Sequence, residues 1–332
     1  MKIAGNRFLV TGGTGFIGSA LVRGLLARGA FVRSLDNDAR GTRSRLEGLP
    51  AHIRSSLELV EGDIRDADVV RRAADGVASV IHLAYVNGTE FFYSKPHVVL
   101  EIAVKGMMNV IDACTAAGVR DLVLASSSEV YQTPPAVPTD EQAPLSVPDP
   151  LNPRYSYGGG KIISELITLN YGRFQFDRAC IFRPHNCYGP DMGEEHVIPQ
   201  LARQLAECLR STPSGPITLP IQGTGAETRA FVYVDDLVDG VLQIIEHGGH
   251  LEIYHVGNDE ETSITRLVEL MGRCVDRQVV AQRGPLLAGS TSRRCPDIRK
   301  LKALGYAPQV SLEAGLRKTV PWYLDTPKRI RT

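Results

Sequence analysis

Phe8-Leu9-Val10-Thr11-Gly12-Gly13-Thr14-Gly15-Phe16-Ile17-Gly18 starts as a short apolar strand, passes through a glycine-rich turn and enters a helical pattern that runs to Arg28 and stops at Gly29. The turn fits G-x-x-G-x-x-G counted from Gly12 and G-x-G-x-x-G counted from Gly13. Such a match has meaning when it follows a strand and opens a helix, as here. Glycine allows the tight turn and lets the backbone approach a pyrophosphate, which the amides and dipole of the helix N-terminus then attract. Gly12, Gly15, Phe16, Ile17 and Gly18 are therefore expected to line a dinucleotide site.

Outward from this turn, strand and helix patterns alternate. Phe31–Leu35, Leu57–Val60, Ser79–Leu83, Asp121–Ala125 and Arg178–Phe182 read as strands, and Val98–Ala117 and Tyr155–Tyr171 as helices. That alternation predicts an α/β fold, a Rossmann-type doubly wound parallel sheet, with a smaller C-terminal lobe. The expected division is residues 1–183 for the dinucleotide domain and 184–332 for the lobe, with interleaved segments. Pro134 to Pro153 holds seven prolines and no period, so it reads as a loop over the catalytic face.

Composition narrows the function. Lys plus Arg and Asp plus Glu are equal at 37 each, which argues against nucleic acid or a membrane surface as partner. The six cysteines form no C-x-x-C pair, so no metal site is expected and the thiols read as reduced. No apolar run approaches the roughly 20 residues that span a bilayer, and a cytoplasmic location is expected.

Asp36 stands 18 residues beyond Gly18, at the end of the second strand. A carboxylate there hydrogen-bonds the adenosine ribose and repels a 2′-phosphate, which selects NAD over NADP. Asp63, after the third strand, is placed to meet the adenine. Tyr157 and Lys161 stand four residues apart on one helix face. A free phenol has a pKa of about 10, and a neighbouring ammonium is expected to bring it toward neutrality. The glycines at 158, 159 and 160 between them cost roughly 2–3 kcal/mol of helix propensity, which close backbone approach would explain. Ser126-Ser127-Ser128-Glu129-Val130-Tyr131 follows a strand directly, at the sheet edge where doubly wound folds hold ligands.

Together, the Gly12–Gly18 turn, Asp36, Asp63, His82-Leu83-Ala84, the serine run and the Tyr157/Lys161 pair resemble the extended short-chain dehydrogenase/reductase family. Within it they resemble the NAD-dependent nucleotide-sugar epimerases, dehydratases and decarboxylases. The resemblance implies that Asn37, Ile64, Leu83, Ala84, Ser126 and Pro184 complete the NAD site with Tyr157 and Lys161. It implies that Ser127 is the catalytic hydroxyl and that Tyr157 takes the proton of a sugar C4 hydroxyl while hydride passes to NAD, leaving a 4-keto sugar. Glu129 stands where the 4,6-dehydratases and sugar-acid decarboxylases carry a glutamate, and a carboxylate there is suited to take the acidified C5 proton. Ser127, Ser128, Asn186, Arg229 and Arg294 would bind a nucleotide-diphosphate sugar, the two arginines at its diphosphate, with His196 nearby.

An epimerase or 4,6-dehydratase is the leading expectation. A UDP-glucuronate-type decarboxylase and a non-catalytic NAD-binding sensor are the alternatives, and intact Tyr157 and Lys161 argue against the sensor. The family's usual asparagine three before Gly106 is Ala103 here, which removes a nicotinamide-side contact. His185 takes a position usually aromatic or aliphatic, and Cys187 reads as a small buried thiol. A homodimer through the two long helices is expected.

Overall fold

The computed structural model describes residues 1–285 and 291–326; positions 286–290 and 327–332, inside the expected C-terminal lobe, lie outside the described residues. Six strands follow in order: β1 (Arg7–Thr11), β2 (Phe31–Asp36), β3 (Leu57–Glu61), β4 (Ser79–His82), β5 (Asp121–Ala125) and β6 (Arg178–Pro184). With the strand Ile253–Val256 they form a seven-stranded sheet in the order Ile253–Val256, β6, β5, β4, β1, β2, β3. Every pairing in it is parallel. The order reverses between β1 and β4, the switch point where a doubly wound sheet opens a crevice at its carboxyl edge.

Strand side chains alternate between the faces and so build two cores. Phe8, Val10, Ile81, Val123 and Phe182 pack with the helices Phe16–Ala27 and Val234–His247 on one face. Leu9, Val80, Leu122, Leu124 and Ile181 pack with the helices Ala67–Ala74 and Met107–Ala117 on the other. A third cluster, with Leu201, Leu267, Met271 and Leu316, gathers buried side chains from Tyr188 to Tyr323. No helix among the described residues is long and apolar enough to cross a membrane.

Two helices depart from their sequence reading. The expected Val98–Ala117 helix is Pro96–Glu101 and Met107–Ala117 joined by a π turn at Ile102–Gly106. A Cβ at Gly106 would stand 2.4 Å from Ile64, so this turn is pressed against a residue of the crevice. The helix read as Tyr155–Tyr171 is Ser156–Gln175. The proline-rich segment is a loop, as read, but it is tied to the C-terminal segment through Asp297 N–H to Thr139 O (2.7 Å) and Thr139 N–H to Cys295 O (2.9 Å). None of its residues lines the crevice cavity.

Candidate active site

At the crevice the helix Phe16–Ala27 starts on Gly15, whose lack of a side chain leaves the helix N-terminus uncapped. Its first amides have no intrahelical acceptor, so they are available to an anion. Gly12 has φ +74°, and a Cβ there would stand 2.7 Å from Ala84 N. A Cβ at Gly18 would stand 2.0 Å from Gly12 O. The turn is thus closed to any larger residue at both ends, and the residues present fit a dinucleotide.

From this turn a cavity of about 440 Å³ runs past β2, β4 and β5 to the helix Ser156–Gln175. The sequence-derived cofactor residues Gly12, Gly15, Phe16, Ile17, Gly18, Asp36, Asn37, Asp63, Ile64, Leu83, Ala84, Ser126, Tyr157, Lys161 and Pro184 all line it. So do Ser127, Ser128, Glu129, Asn186 and Arg294. Asp36 is oriented by the amides of Thr14 (3.0 Å) and Asp38 (2.9 Å). Asn37 donates to Asp63 at 3.0 Å, and hydrogen bonds from Arg65 hold the Asp63 carboxyl below its usual range. Arg40 and Arg43 are near enough in sequence to Asp36 to attract a 2′-phosphate; Arg40, which lines the cavity, pairs with Glu195 at 3.1 Å, and Arg43 pairs with Asp38 and Glu61.

At the opposite end Ser127 caps a short 3₁₀ turn, accepting from Glu129 N at 3.1 Å, and lines the same cavity as Tyr157. Two of the three helix glycines answer to close approach. A Cβ at Gly158 would stand 2.6 Å from Gln132 Nε2, and one at Gly160 2.2 Å from Tyr85 Oη.

The expected effect of Lys161 on Tyr157 is not what the geometry produces. Burial pushes the Tyr157 phenol up to about 12, with Ser127 pulling down and Glu129 pushing up. Burial brings the Lys161 ammonium down to about 7, against the pull of Glu165. The physical reason is desolvation, which disfavours the charged form of both groups. Lys161 Nζ donates to Ala125 O at 2.7 Å and lies over the Tyr85 ring.

The two arginines assigned to the diphosphate also differ from expectation. Arg294 donates to the Glu129 carboxylate. Burial alone would raise that carboxyl, but Arg294, helped by Arg154 and Arg229, outweighs it and holds it below its usual range. Arg229 does not line the cavity: it donates to the carbonyls of Thr228 and Thr291, both at 2.7 Å, from the middle strand of a small three-stranded sheet, paired in register with Arg294. Asn186 lines the cavity with φ +40° and donates to Ala230 O at 3.1 Å. His185 is a packed residue outside the cavity, its ring 4.5 Å from that of His255. Burial pushes the Cys187 thiol up, which keeps it protonated.

Sequence reasoning passed over Tyr85, Phe92, Gln132, Arg154 and Glu195, which also line the cavity. Tyr85 and Phe92 pack on the Tyr157 ring at centroid distances of 5.2 and 5.1 Å. Both come from the connection after β4, where no motif announces them.

A parallel sheet with a dinucleotide cradle and a Ser/Tyr/Lys cluster at its carboxyl edge has close counterparts. The chain belongs to the NAD-dependent epimerase/dehydratase family, whose model matches residues 8–257. It is 34% identical over 324 residues to UDP-glucose 4-epimerase of Mycolicibacterium smegmatis, covering 96% of this chain and 98% of that protein. It is 32% identical to UDP-glucuronic acid decarboxylase 2 of Arabidopsis thaliana, covering 95% of this chain and 68% of that one. Among solved structures, a double mutant of DesIV, the dTDP-glucose 4,6-dehydratase of Streptomyces venezuelae with NAD and DAU bound, superposes with a TM-score of 0.82 at 33% identity, covering 96% of this chain and 97% of that one.

Proposed function

We propose that this chain is an NAD-dependent nucleotide-sugar epimerase or 4,6-dehydratase that oxidises C4 of its sugar transiently. The observation carrying this reading is the meeting of Ser127, Tyr157 and Lys161 in the cavity that continues from the Gly12–Gly18 turn. Bound along that turn, NAD would supply the acceptor for the C4 hydride. Ser127 orients the C4 hydroxyl. Tyr157 receives its proton once positive charge beside the phenol offsets burial, and Lys161 holds that charge one helical turn away. Asp36 takes the adenosine ribose and favours NAD over NADP.

The outcome after C4 oxidation turns on Glu129. It is ionised, as a C5 base must be, but it is committed to Arg294. Dehydration therefore requires that pair to open, whereas epimerisation needs only rotation of the keto sugar. This supports 4-epimerisation ahead of 4,6-dehydration. The same pair favours one second reading, decarboxylation of a sugar acid. An arginine already holding a carboxylate at the sugar end can exchange it for a uronate carboxylate.

Incubation with UDP-, dTDP-, GDP- and CDP-linked hexoses and uronates, read by mass spectrometry and NMR, tests these readings. Unchanged mass with a new sugar spectrum means epimerisation, loss of water dehydration, and loss of carbon dioxide decarboxylation. Bound NAD with no turnover of any sugar would refute the catalytic reading.

We further propose a homodimer through the helices that carry Leu100, Val104, Ile163 and Leu166. These side chains leave 39, 39, 38 and 54% of their surfaces exposed. Light scattering should give twice the chain mass, and a monomer would count against this face.

A further inference from the structure

Tyr85 joins three features of the site on one ring. Lys161 Nζ lies 4.0 Å from its centroid. The Tyr157 ring meets it nearly at right angles, 87°, with centroids 5.2 Å apart. Its hydroxyl is buried without a hydrogen-bond partner among the described residues, in a slot that a Cβ at Gly160 would close: that atom would stand 2.2 Å from Tyr85 Oη and 2.9 Å from Ala103 Cβ. The slot exists because residue 160 is glycine and residue 103 is alanine. A buried hydroxyl without a partner costs free energy, so hydrogen bonding does not explain a tyrosine here. The ring does.

We propose that Tyr85 is a positioning residue whose aromatic face holds the Lys161 ammonium beside Tyr157 by cation–π attraction. This rests on the role given to Lys161 above. Ala125 O accepts one of the ammonium protons at 2.7 Å, and the ring covers another side. The remaining titratable groups that act on this corner offer little competition. Glu165, one turn along the helix, is engaged by Arg183 (2.8 and 2.6 Å). His82 on β4 is buried and neutral, and Tyr157 is a protonated phenol. Burial brings Lys161 to about 7, so even a modest preference of the ring for the charged form changes how much ammonium is present at neutral pH.

The test reads Lys161 itself, by NMR titration of ¹³Cε-labelled lysine in protein without substrate, with the signal assigned through Lys161→Arg. Tyr85→Leu removes the π face and should lower the Lys161 midpoint by up to about one pH unit. Tyr85→Phe keeps the face and should stay within about 0.3 unit of the original. Gly160→Ala, whose methyl displaces the Tyr85 hydroxyl and with it the ring, should fall with Tyr85→Leu. On the substrate that the sugar panel identifies, Tyr85→Leu should lose about ten-fold in kcat, with KM for the sugar nucleotide changing less than about two-fold. The proposal is overturned if Tyr85→Leu titrates like the original protein, or if Tyr85→Phe falls as far as Tyr85→Leu. Should Tyr85→Leu not fold, Gly160→Ala is compared with Gly160→Ala/Tyr85→Phe. A midpoint restored toward the original in the double variant supports the ring, and an unrestored one overturns it. If no sugar is turned over but the titration moves as stated, the proposed reaction fails and the assignment of Tyr85 stands.

Discussion

Replacing Glu129 by Gln keeps the shape of the side chain and removes its charge, which separates C4 chemistry from C5 chemistry in one variant. Arg294, Arg154 and Arg229 all act on this carboxylate, so the change leaves three guanidiniums around an uncharged amide. Breaking a fully buried pair costs about 3–5 kcal/mol, and an exposed pair is worth under about 1 kcal/mol. With Arg294 16% and Glu129 33% exposed, the loss should fall between these limits. We expect about 1–2 kcal/mol, after discounting for solvent screening, seen as a Tm lower by about 1.5–3 °C.

The pH dependence has a definite sign. The folded carboxyl titrates below its usual value of 4.5, so its contribution to stability is complete above that value and disappears as pH falls through the folded value. Glu129→Gln should lack that acid-side loss. In the reaction, a missing general base costs about 10²–10⁴-fold, so exchange of C5 with D₂O and any loss of water should fall by that factor. Interconversion at C4 should fall by less than about ten-fold. NMR of the products in D₂O reads both rates from one sample. Equal losses at C4 and C5 would refute the assignment and make Glu129 a structural partner of Arg294.

Gly18→Ala puts a methyl where Gly12 O stands 2.0 Å away, and should weaken NAD binding at least about ten-fold by calorimetry without unfolding the sheet. Arg183→Met strips the partner from Glu165 in a pair whose side chains are 2% and 3% exposed, and should cost about 3–5 kcal/mol in denaturant unfolding. Adding Glu165→Gln should return part of that loss, because the stranded charge is gone. His82 and His255 are buried as neutral rings with pKa values lowered from 6.5 to about 3, by burial first. Below about pH 6.5 the unfolded chain binds protons that the folded one refuses, so Tm should fall steadily between pH 7 and pH 5. A flat Tm across that range would show that these rings accept protons in the folded state.

The parts of this site that could be read from sequence are those encoded at short range. The Gly12–Gly18 turn is local, Asp36 follows it by a fixed strand length, and Tyr157 and Lys161 need only helical spacing. The parts that could not be read depend on distance along the chain or on burial. Arg294 and Glu129 are separated by 165 positions, so their pairing replaced two independent roles with one shared one. Arg229 matches an expected arginine but donates to the carbonyls of Thr228 and Thr291, the latter 62 positions away. The phenol and ammonium sit four positions apart, as read, yet desolvation sets their protonation and no residue spacing reports it. Tyr85 was invisible for a related reason. The slot that admits it is written at positions 103 and 160, neither adjacent to it in sequence.

The strand Ile253–Val256 lies against β6 at one border of the sheet. A chain emerging from the ribosome at about 5–20 residues per second therefore presents β6 for several seconds before its partner has been made. During that interval the outer border of β6 is a row of open backbone donors and acceptors, able to recruit any other extended segment. A truncation anywhere between Pro184 and Ile253 makes that interval permanent. Such fragments contain every residue of the dinucleotide cradle and should still precipitate, because the strand of this sheet that is made last is the one that covers β6.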